Sequence, residues 1–219
     1  MSEIEYDEEG RQRVKVILIG NASVGKTNLI KVTTGGAFDE NEEATLKVSY
    51  LEKKMKIGDK EYNLFLWDTI GNERLRSMTN LFFKNSKIVI FVYDITEKSS
   101  FDGIKDYWAP EVKNQIGDNI VKGLVGNKTD LYLKEKVKEE EAEEYAKSIN
   151  AFFRTTSAKN EPKGLECFLE ELLKEYNDHK EKYDSNTGNG VDISKPKKNE
   201  STCCLFKKKN SSNRSNGSN

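Results

Sequence analysis

The sequence predicts an α/β fold in which a mostly parallel six-stranded sheet carries helices on both faces. Short apolar runs alternate along the chain with segments whose apolar residues recur at helical spacing, a pattern typical of strand–helix repeats. Several runs, such as residues 88–93, are apolar at nearly every position, which predicts strands covered on both faces. Ligands of such folds bind beyond the carboxyl ends of the strands, so we expect the functional loops there.

The same pattern places the elements in order. Predicted strands cover residues 14–19, 45–56, 61–67, 88–93, 120–126 and 151–154, with a hairpin turn at residues 57–60. Predicted helices begin near residue 28 and cover residues 101–115, 137–149 and 164–176. Pro110 predicts a bend or a restart in the second helix. In the last helix we interpret Cys167 as a packing residue.

Composition divides the 219 residues into three parts. The composition predicts a flexible N-terminus at residues 1–12 and a single domain at residues 13–180. Residues 1–180 carry a net charge of −5, whereas residues 181–219 carry +4 and are rich in Asn, Ser, Lys and Gly, which predicts a disordered basic tail. We expect no transmembrane helix, since no apolar stretch is long enough, and three cysteines without disulfide spacing favour a reducing, cytoplasmic setting.

Residues 20–27 carry the clearest chemical signal. They match GxxxxGK[ST] and lie between a predicted strand and a predicted helix. Glycines let the backbone wrap around an anion, which the amides of the turn and of the helix N-terminus stabilise. Lys26 is expected to reach the outer phosphates of a nucleotide, and the Thr27 hydroxyl to hold a magnesium ion. The predicted phosphate-binding loop comprises Gly20, Asn21, Ala22, Ser23, Val24, Gly25, Lys26, Thr27 and Asn28.

Two later segments indicate which base the nucleotide carries. Asp130 ends the segment Asn-Lys-Thr-Asp at residues 127–130, and its carboxylate can accept both the N1 hydrogen and the 2-amino group of guanine, whereas adenine offers no such pair. Asn127 is expected to bridge the base and the phosphate loop, and the Lys128 stem to cover one face of the base. The Ala158 amide, in a loop at residues 156–159, can meet the guanine carbonyl. The sequence therefore favours a protein that binds guanine nucleotides over an ATP-dependent kinase or ATPase.

With these motifs the chain resembles a small GTPase of the Ras superfamily, most closely of the Rab branch, over about residues 13–178. The resemblance implies a P-loop GTPase domain that binds GTP or GDP with Mg²⁺. It implies that Thr45, and Asp68 through water, join Thr27 at the magnesium ion. It adds Thr45 and the Gly71 amide to the phosphate contacts. It further implies a base-binding set comprising Phe38, Asn127, Lys128, Asp130, Ser157, Ala158 and Lys159, and a catalytic set comprising Lys26, Gly71 and Asn72.

Departures from the family's pattern bear on this chemistry. Asn72 stands where the family has the glutamine that orients the attacking water, and its side chain is one methylene, roughly 1.5 Å, shorter. Ile70 replaces a small alanine beside the metal, and Glu42 replaces a tyrosine near the triphosphate. Lys47 adds a cation to the face that family members use for effectors. We expect slow intrinsic hydrolysis, with a poorly hydrolysing GTP-binding scaffold as an alternative.

The resemblance also implies partners and a role in vesicle traffic. Effectors, an exchange factor and a GTPase-activating protein are expected at residues 45–50 and 70–80, with no nucleic acid and a monomeric domain. Cys203 and Cys204 resemble the doubly prenylated pair of Rab proteins, but 15 residues follow them, so trimming, palmitoylation or no lipid stay open. If the tail is lipidated, we expect a peripheral protein on the cytosolic face of an endomembrane. Residues 108–111, Trp-Ala-Pro-Glu, resemble the Rho branch, so a Rho-like signalling GTPase stays an alternative.

Overall fold

The computed structural model of the protein describes residues 6–45, 47–70 and 83–184. Within them lie the strands β1 (Gln12–Ile19), β2 (Ser49–Ile57), β3 (Lys60–Asp68), β4 (Ile88–Asp94), β5 (Val121–Asn127) and β6 (Phe152–Thr155). The strands form one sheet in the order β2-β3-β1-β4-β5-β6. In this sheet β2 pairs antiparallel with β3 through the predicted hairpin, and the other neighbours are parallel. The predicted sheet, six-stranded and mostly parallel, is confirmed.

The sheet separates two hydrophobic clusters, one on each face. Val14, Val16 and Leu18 of β1 belong to the first cluster. Ile17 and Ile19 of the same strand belong to the second. Every residue of β4 is buried as well, because side chains that alternate along a central strand meet a packed layer on either side. The loop that follows β1 therefore begins on a strand that is fixed from both faces.

Helices cover both faces of the sheet, as predicted. They are α1 (Lys26–Thr33), α2 (Lys98–Gly103), α3 (Ala109–Ile116), α4 (Glu139–Ser148), α5 (Gly164–Asp178) and α6 (Lys180–Asp184). Residues of α1 and α5 pack in the first cluster, and residues of α2, α3 and α4 in the second. A π-helical turn, Ile104–Trp108, joins α2 to α3, and Pro110 lies in the first turn of α3. The helical backbone continues from α2 through this turn into α3, and the wider π-helical turn accommodates a proline that has no N–H to donate.

Two boundaries differ from the sequence-based expectations. Residues 6–12, expected to be flexible, form a turn in which Tyr6 bridges Gln12 and an Asp7 oxygen lies 2.8 Å from the Arg11 guanidinium. At the other end, α6 continues past residue 180, because Tyr183 is buried against the first cluster. The defined domain therefore begins before residue 13 and reaches Asp184.

Two further expectations concern β2 and α5. The second strand starts at Ser49 rather than at residue 45, because Thr45 belongs to the wall of a cavity described below. Cys167 is exposed, so its interpretation as a packing residue was wrong. The apolar positions of α5 recur at Leu165, Phe168 and Leu169, and Cys167 lies off that face. No helix in the described ranges has the length and apolar character needed to cross a bilayer.

Candidate nucleotide-binding site

A cavity of about 470 Å³ opens at the carboxyl ends of β1 and β5, a size typical of small-molecule sites. Its walls come from the loops after β1, β5 and β6 and from the segment before β2. The loops that the sequence singled out therefore converge at one edge of the sheet, as expected for parallel strands. Among the predicted site residues, those that line the cavity are Ala22, Ser23, Gly25, Lys26, Thr27, Asn28, Phe38, Thr45, Asn127, Lys128, Asp130, Ala158 and Lys159.

Two glycines of the phosphate loop have no room for a side chain. A Cβ on Gly20 would lie 2.1 Å from the carbonyl oxygen of Val92 in β4. Gly25 has a φ of +95°, and a Cβ there would lie 2.3 Å from the Asn127 amide nitrogen. The loop therefore passes close to the neighbouring strand and to the base-binding segment, and this close approach requires glycine at both positions.

Lys26 lies buried at the centre of the loop. Its ammonium donates hydrogen bonds to the carbonyl oxygens of Gly20 and Asn21, at 3.0 and 2.9 Å. Burial lowers the pKa of Lys26 to about 8, although the nearby Asp68 carboxylate acts in the opposite direction. A phosphate placed beside Lys26 would stabilise its charged form, so the residue is suited to an anionic ligand.

Three oxygen-bearing side chains meet beside the loop. The Thr27 hydroxyl donates to Asp68 Oδ2 at 2.7 Å and lies 2.8 Å from the Thr45 hydroxyl. Thr45 also approaches Asp68 Oδ2, at 3.3 Å. The second oxygen, Asp68 Oδ1, is buried and has no hydrogen-bond partner among the described residues. Burial raises the pKa of Asp68, while the bond from Thr27 and the charge of Lys26 oppose that rise.

These three residues fit a magnesium ion. Mg²⁺ prefers oxygen ligands and retains several waters, which suits two hydroxyls and one carboxylate beside a phosphate site. The unpartnered Asp68 Oδ1 is a buried acceptor that a bound cation, or water on that cation, would satisfy. Thr27, Thr45 and Asp68 are therefore brought together as the resemblance implied.

The base-binding segment is built around Asn127, which is 1% exposed. Its amide nitrogen donates to the carbonyl oxygen of Val24 in the phosphate loop at 2.8 Å. Its carbonyl oxygen accepts from the Ala158 amide at 3.2 Å. Asn127 thus joins three loops, and the predicted bridge to the phosphate loop is present. The Ala158 amide, expected to meet the guanine carbonyl, donates to Asn127 in this structure.

Hydrogen bonds and an ion pair fix the side chains of Asp130 and Lys128. The Ser157 hydroxyl donates to Asp130 Oδ1 at 2.5 Å, which fixes the carboxylate at the cavity wall. The Lys128 ammonium donates to the Ser23 carbonyl oxygen at 2.8 Å and lies 2.7 Å from Asp94 Oδ2. Lys128 itself adopts a left-handed conformation, with φ of 71°. Its stem therefore spans the mouth from β5 to the phosphate loop, where a base would lie.

Phe38 and Lys159 close the base end. Phe38 is partly buried against the first cluster and lines the cavity. The Lys159 ammonium lies 5.9 Å from the centre of the Phe38 ring and 3.4 Å from Glu40 Oε1. Phe38 and Lys159 therefore lie near each other in the cavity wall, and their contact with a base stays a prediction.

Several contacts that organise the site were not apparent from sequence. Asn28, predicted to bind phosphate, uses its amide to donate to the Asp39 carbonyl oxygen at 2.8 Å and to accept from the Asp39 N–H at 2.9 Å. Lys31 of α1 forms an ion pair with Glu42. The Trp108 indole donates to Asn21 Oδ1 at 3.1 Å, which ties the π-helical turn to the phosphate loop. Such pairs join distant segments and have no local sequence signature. For Lys31 and Glu42 the sequence offers only their opposite charges as a signal.

Some predicted residues lie outside the described ranges. These are Gly71, Asn72, the remainder of the segment up to residue 80, and the tail cysteines Cys203 and Cys204. Ile70 lines the cavity, and the effector-face residues Lys47 and Tyr50 are exposed. Tyr50 packs on Phe65 and Trp67, with ring centres 5.3 and 5.2 Å apart.

Comparison with known proteins agrees with this arrangement. The sequence profile of the Ras family matches residues 15–178. The chain is 40% identical over 160 residues to Ras-related protein Rab-21 of Homo sapiens, covering 73% of this chain and 70% of that protein. Rab-21 of Bos taurus is 40% identical over 160 residues, covering 73% and 71%. Rab-21 of the sponge Geodia cydonium is 39% identical over 158 residues, covering 72% and 69%. The chain therefore belongs to the Ras family of small GTPases, within its Rab branch.

Proposed function

We propose that this protein is a guanine-nucleotide switch that cycles between GDP and GTP forms and regulates membrane traffic. The observation that carries the guanine assignment is the Asp130 carboxylate, held at the cavity wall by the Ser157 hydroxyl at 2.5 Å. A carboxylate fixed in this way accepts the two adjacent donors of guanine. Membership of the Rab branch supports the trafficking role.

The guanine assignment is tested by exchanging the acceptor. Asp130→Asn replaces one accepting oxygen with a donor, so it is expected to weaken GTP binding at least about 100-fold, because hydrogen bonds to a charged group contribute about 1.5–3 kcal/mol each. The same change is expected to permit xanthine nucleotides, whose 2-oxo group accepts where guanine donates. Binding of GTP, XTP and ATP by titration calorimetry measures both effects. Asp118→Asn, at an exposed residue in the loop that precedes β5, is the matched control, and equal losses in both variants would contradict the assignment.

Thr27, Thr45 and Asp68 are the residues that would hold magnesium in the proposed switch. A bound Mg²⁺ supplies positive charge to the outer phosphates. The chain's own part is to orient: Lys26 and the loop amides bind the phosphates, while the hydroxyls of Thr27 and Thr45 set the distance between α1 and the segment before β2. Ordering that segment by the γ-phosphate would create the surface for effectors at residues 45–50 and 70–80.

We further infer that intrinsic hydrolysis is slow. Asn72 lacks one methylene relative to the family's glutamine, and a displacement of roughly 1.5 Å in a water-orienting group can lower the rate on the order of 100-fold. Ile70, a stiff β-branched side chain, lines the cavity beside the phosphate end. Single-turnover GTP hydrolysis by the wild type and by Asn72→Gln provides the test. Equal rates would contradict the argument from Asn72.

A poorly hydrolysing scaffold is the second candidate, and the place of Ile70 in the cavity wall favours it. A switch and a scaffold differ in their response to a GTPase-activating protein. Hydrolysis by a switch is expected to accelerate in the presence of a broad-specificity activating protein, whereas a scaffold would bind GTP without acceleration. The same protein preparation serves both measurements.

Membrane attachment is proposed to run through the basic tail. Cys203 and Cys204, followed by three lysines at residues 207–209, would combine lipid chains with attraction to anionic lipid worth about 1 kcal/mol per lysine. This would place the protein on the cytosolic face of an endomembrane. Intact-mass measurement of the protein from its membrane fraction tests the proposal, and an unmodified mass there would remove it.

A further inference from the structure

The Lys31–Glu42 ion pair lies beside the phosphate end of the cavity and has no role in the function proposed above. Lys31 is in the last turn of α1, and Glu42 lies three residues before Thr45. The Lys31 ammonium donates to Glu42 Oε2, and the two side chains are 38% and 22% exposed. A pair with this exposure contributes little to overall stability, so its consequence lies in what Glu42 faces.

Glu42 faces the nucleotide cavity. It lines the wall, whereas Lys31 does not. It lies three residues before Thr45, whose hydroxyl lies 3.3 Å from Asp68 Oδ2. Asp68 marks the metal end of the site, where the outer phosphate of a triphosphate would lie. An unpaired carboxylate at this position would repel phosphate, and a triphosphate more than a diphosphate.

The pair is also one of the contacts that join α1 to the segment before β2. Asn28, one turn earlier on α1, holds the backbone of Asp39 through two hydrogen bonds of 2.8 and 2.9 Å. Lys31 then holds Glu42, so α1 contacts the segment at two points three residues apart. Thr45 follows directly, with its hydroxyl 2.8 Å from that of Thr27.

We propose that Lys31 is a specificity residue that, by pairing with Glu42, neutralises a carboxylate at the phosphate end and thereby permits the protein to bind GTP as well as GDP. The inference rests on the proposed guanine-nucleotide function, since it concerns the same cavity. Lys31 acts through Glu42 and contacts no nucleotide itself. Glu42 is one of several acidic residues in the cavity wall, and a cation on the adjacent helix neutralises its charge.

The test measures the ratio of GTP to GDP affinity, using a non-hydrolysable GTP analogue and the full-length protein with Mg²⁺. Lys31→Met leaves Glu42 unpaired, so it is expected to lower this ratio about 3- to 10-fold at low ionic strength. The effect is expected to shrink in high salt, since the charges are partly exposed. Glu42→Gln removes the repulsion, so its ratio is expected to equal or exceed that of the wild type.

Two comparisons separate a charge effect from a structural one. In the double variant Lys31→Met/Glu42→Gln, the ratio is expected to return to that of the wild type, because the carboxylate and the cation that neutralises it are removed together. Lys147→Met breaks an exposed pair of 2.9 Å with Glu143 on α4, far from the cavity, and is expected to leave the ratio unchanged.

Three results would overturn the inference. One is an equal loss of GTP and GDP affinity in Lys31→Met, another is a double variant as impaired as Lys31→Met, and the third is a lowered ratio in Glu42→Gln. The third applies even if Lys31→Met fails to fold. If the wild type binds guanine nucleotides and the ratio does not move, this inference alone fails. If the wild type binds none, the proposed function fails with it.

Discussion

The base end and the phosphate end of the cavity differ in how their buried polar groups are paired. At the base end the buried groups have partners within the protein: Asn127 donates to the Val24 carbonyl and accepts from the Ala158 amide, and the Asp94 carboxylate lies 2.7 Å from the Lys128 ammonium. At the phosphate end the groups are charged. Asp68 Oδ1 has no partner among the described residues, and Lys26 donates to two carbonyls of its own loop with a lowered pKa.

This difference indicates what each end contributes to binding. A buried charge without a full set of partners costs free energy, and a ligand of opposite charge removes that cost. Phosphates beside Lys26 and a cation beside Asp68 would therefore stabilise the folded protein as well as bind to it. The base end needs no such completion, because its loops are already joined. Selectivity is thus expected from a preformed end, and most of the affinity from an end that the ligand completes.

The largest expected effect is on the stability of the nucleotide-free protein. Asn127→Ala leaves the buried Val24 carbonyl and Ala158 N–H unpaired, so it is expected to lower the free energy of unfolding by about 3 kcal/mol. Asp68→Asn removes a buried charge whose pKa is already raised, so it is expected to change stability by less than about 1 kcal/mol or to increase it. Urea unfolding of both nucleotide-free variants at pH 7 measures the contrast.

The same two variants serve as each other's control once nucleotide is added. With GTP and Mg²⁺ present, Asp68→Asn is expected to become the less stable of the two variants. Its side chain can no longer bind the metal ion as a carboxylate, so the variant loses the stabilisation that the ligand provides. Asn127→Ala is expected to keep its dependence on Mg²⁺. If both variants lost the same stability without ligand, the two ends would not differ in the way described.

The next effect is a pH dependence confined to the phosphate end. In the nucleotide-free protein burial lowers the pKa of Lys26 from 10.5 to about 8, whereas a bound phosphate favours the charged form. Binding must therefore take up a proton above pH 8. GTP affinity is expected to be level below that value and to fall by up to about tenfold per pH unit above it.

Affinity measured between pH 7 and 9 checks this prediction. Lys26→Met is the matched control: it is expected to bind weakly but without the decline, because no proton is taken up. Selectivity for guanine over adenine is expected to stay constant across the range in the wild type. A decline that persists in Lys26→Met would assign the titration to another group.

Much of the fold followed from the sequence because its signals are local. The apolar run at residues 88–93 predicted β4, which the structure places at Ile88–Asp94, and the turn at residues 57–60 predicted the hairpin. The convergence of the loops needed only the rule that parallel strands end at one edge. Pro110 predicted a bend or a restart, and the structure has instead a π-helical turn directly before it, a form that has no sequence signature.

The remaining features depend on contacts between distant segments. The predicted strand at residues 45–56 included Thr45, but β2 begins at Ser49 and Thr45 lies in the cavity wall. The pairing of Glu42 with Lys31 was not predicted, since the two residues lie eleven positions apart and Glu42 is not in a helix. Helical spacing places apolar positions well, but it did not exclude Cys167 from the packed face of α5.

The smallest expected effect tests how rigid the base end is. The Ser157 hydroxyl donates to Asp130 Oδ1 at 2.5 Å and accepts from the amides of Lys159 and Asn160, at 3.2 and 3.1 Å. Ser157→Ala keeps the carboxylate but releases it from its support, so GTP affinity is expected to fall about 5-fold, in line with one hydrogen bond of about 1 kcal/mol. Because the loss arises from the freedom of Asp130, GDP affinity is expected to fall by the same factor. A loss for GTP alone would show instead that Ser157 acts on the phosphate end, and the division of the cavity into a preformed and a ligand-completed end would no longer hold.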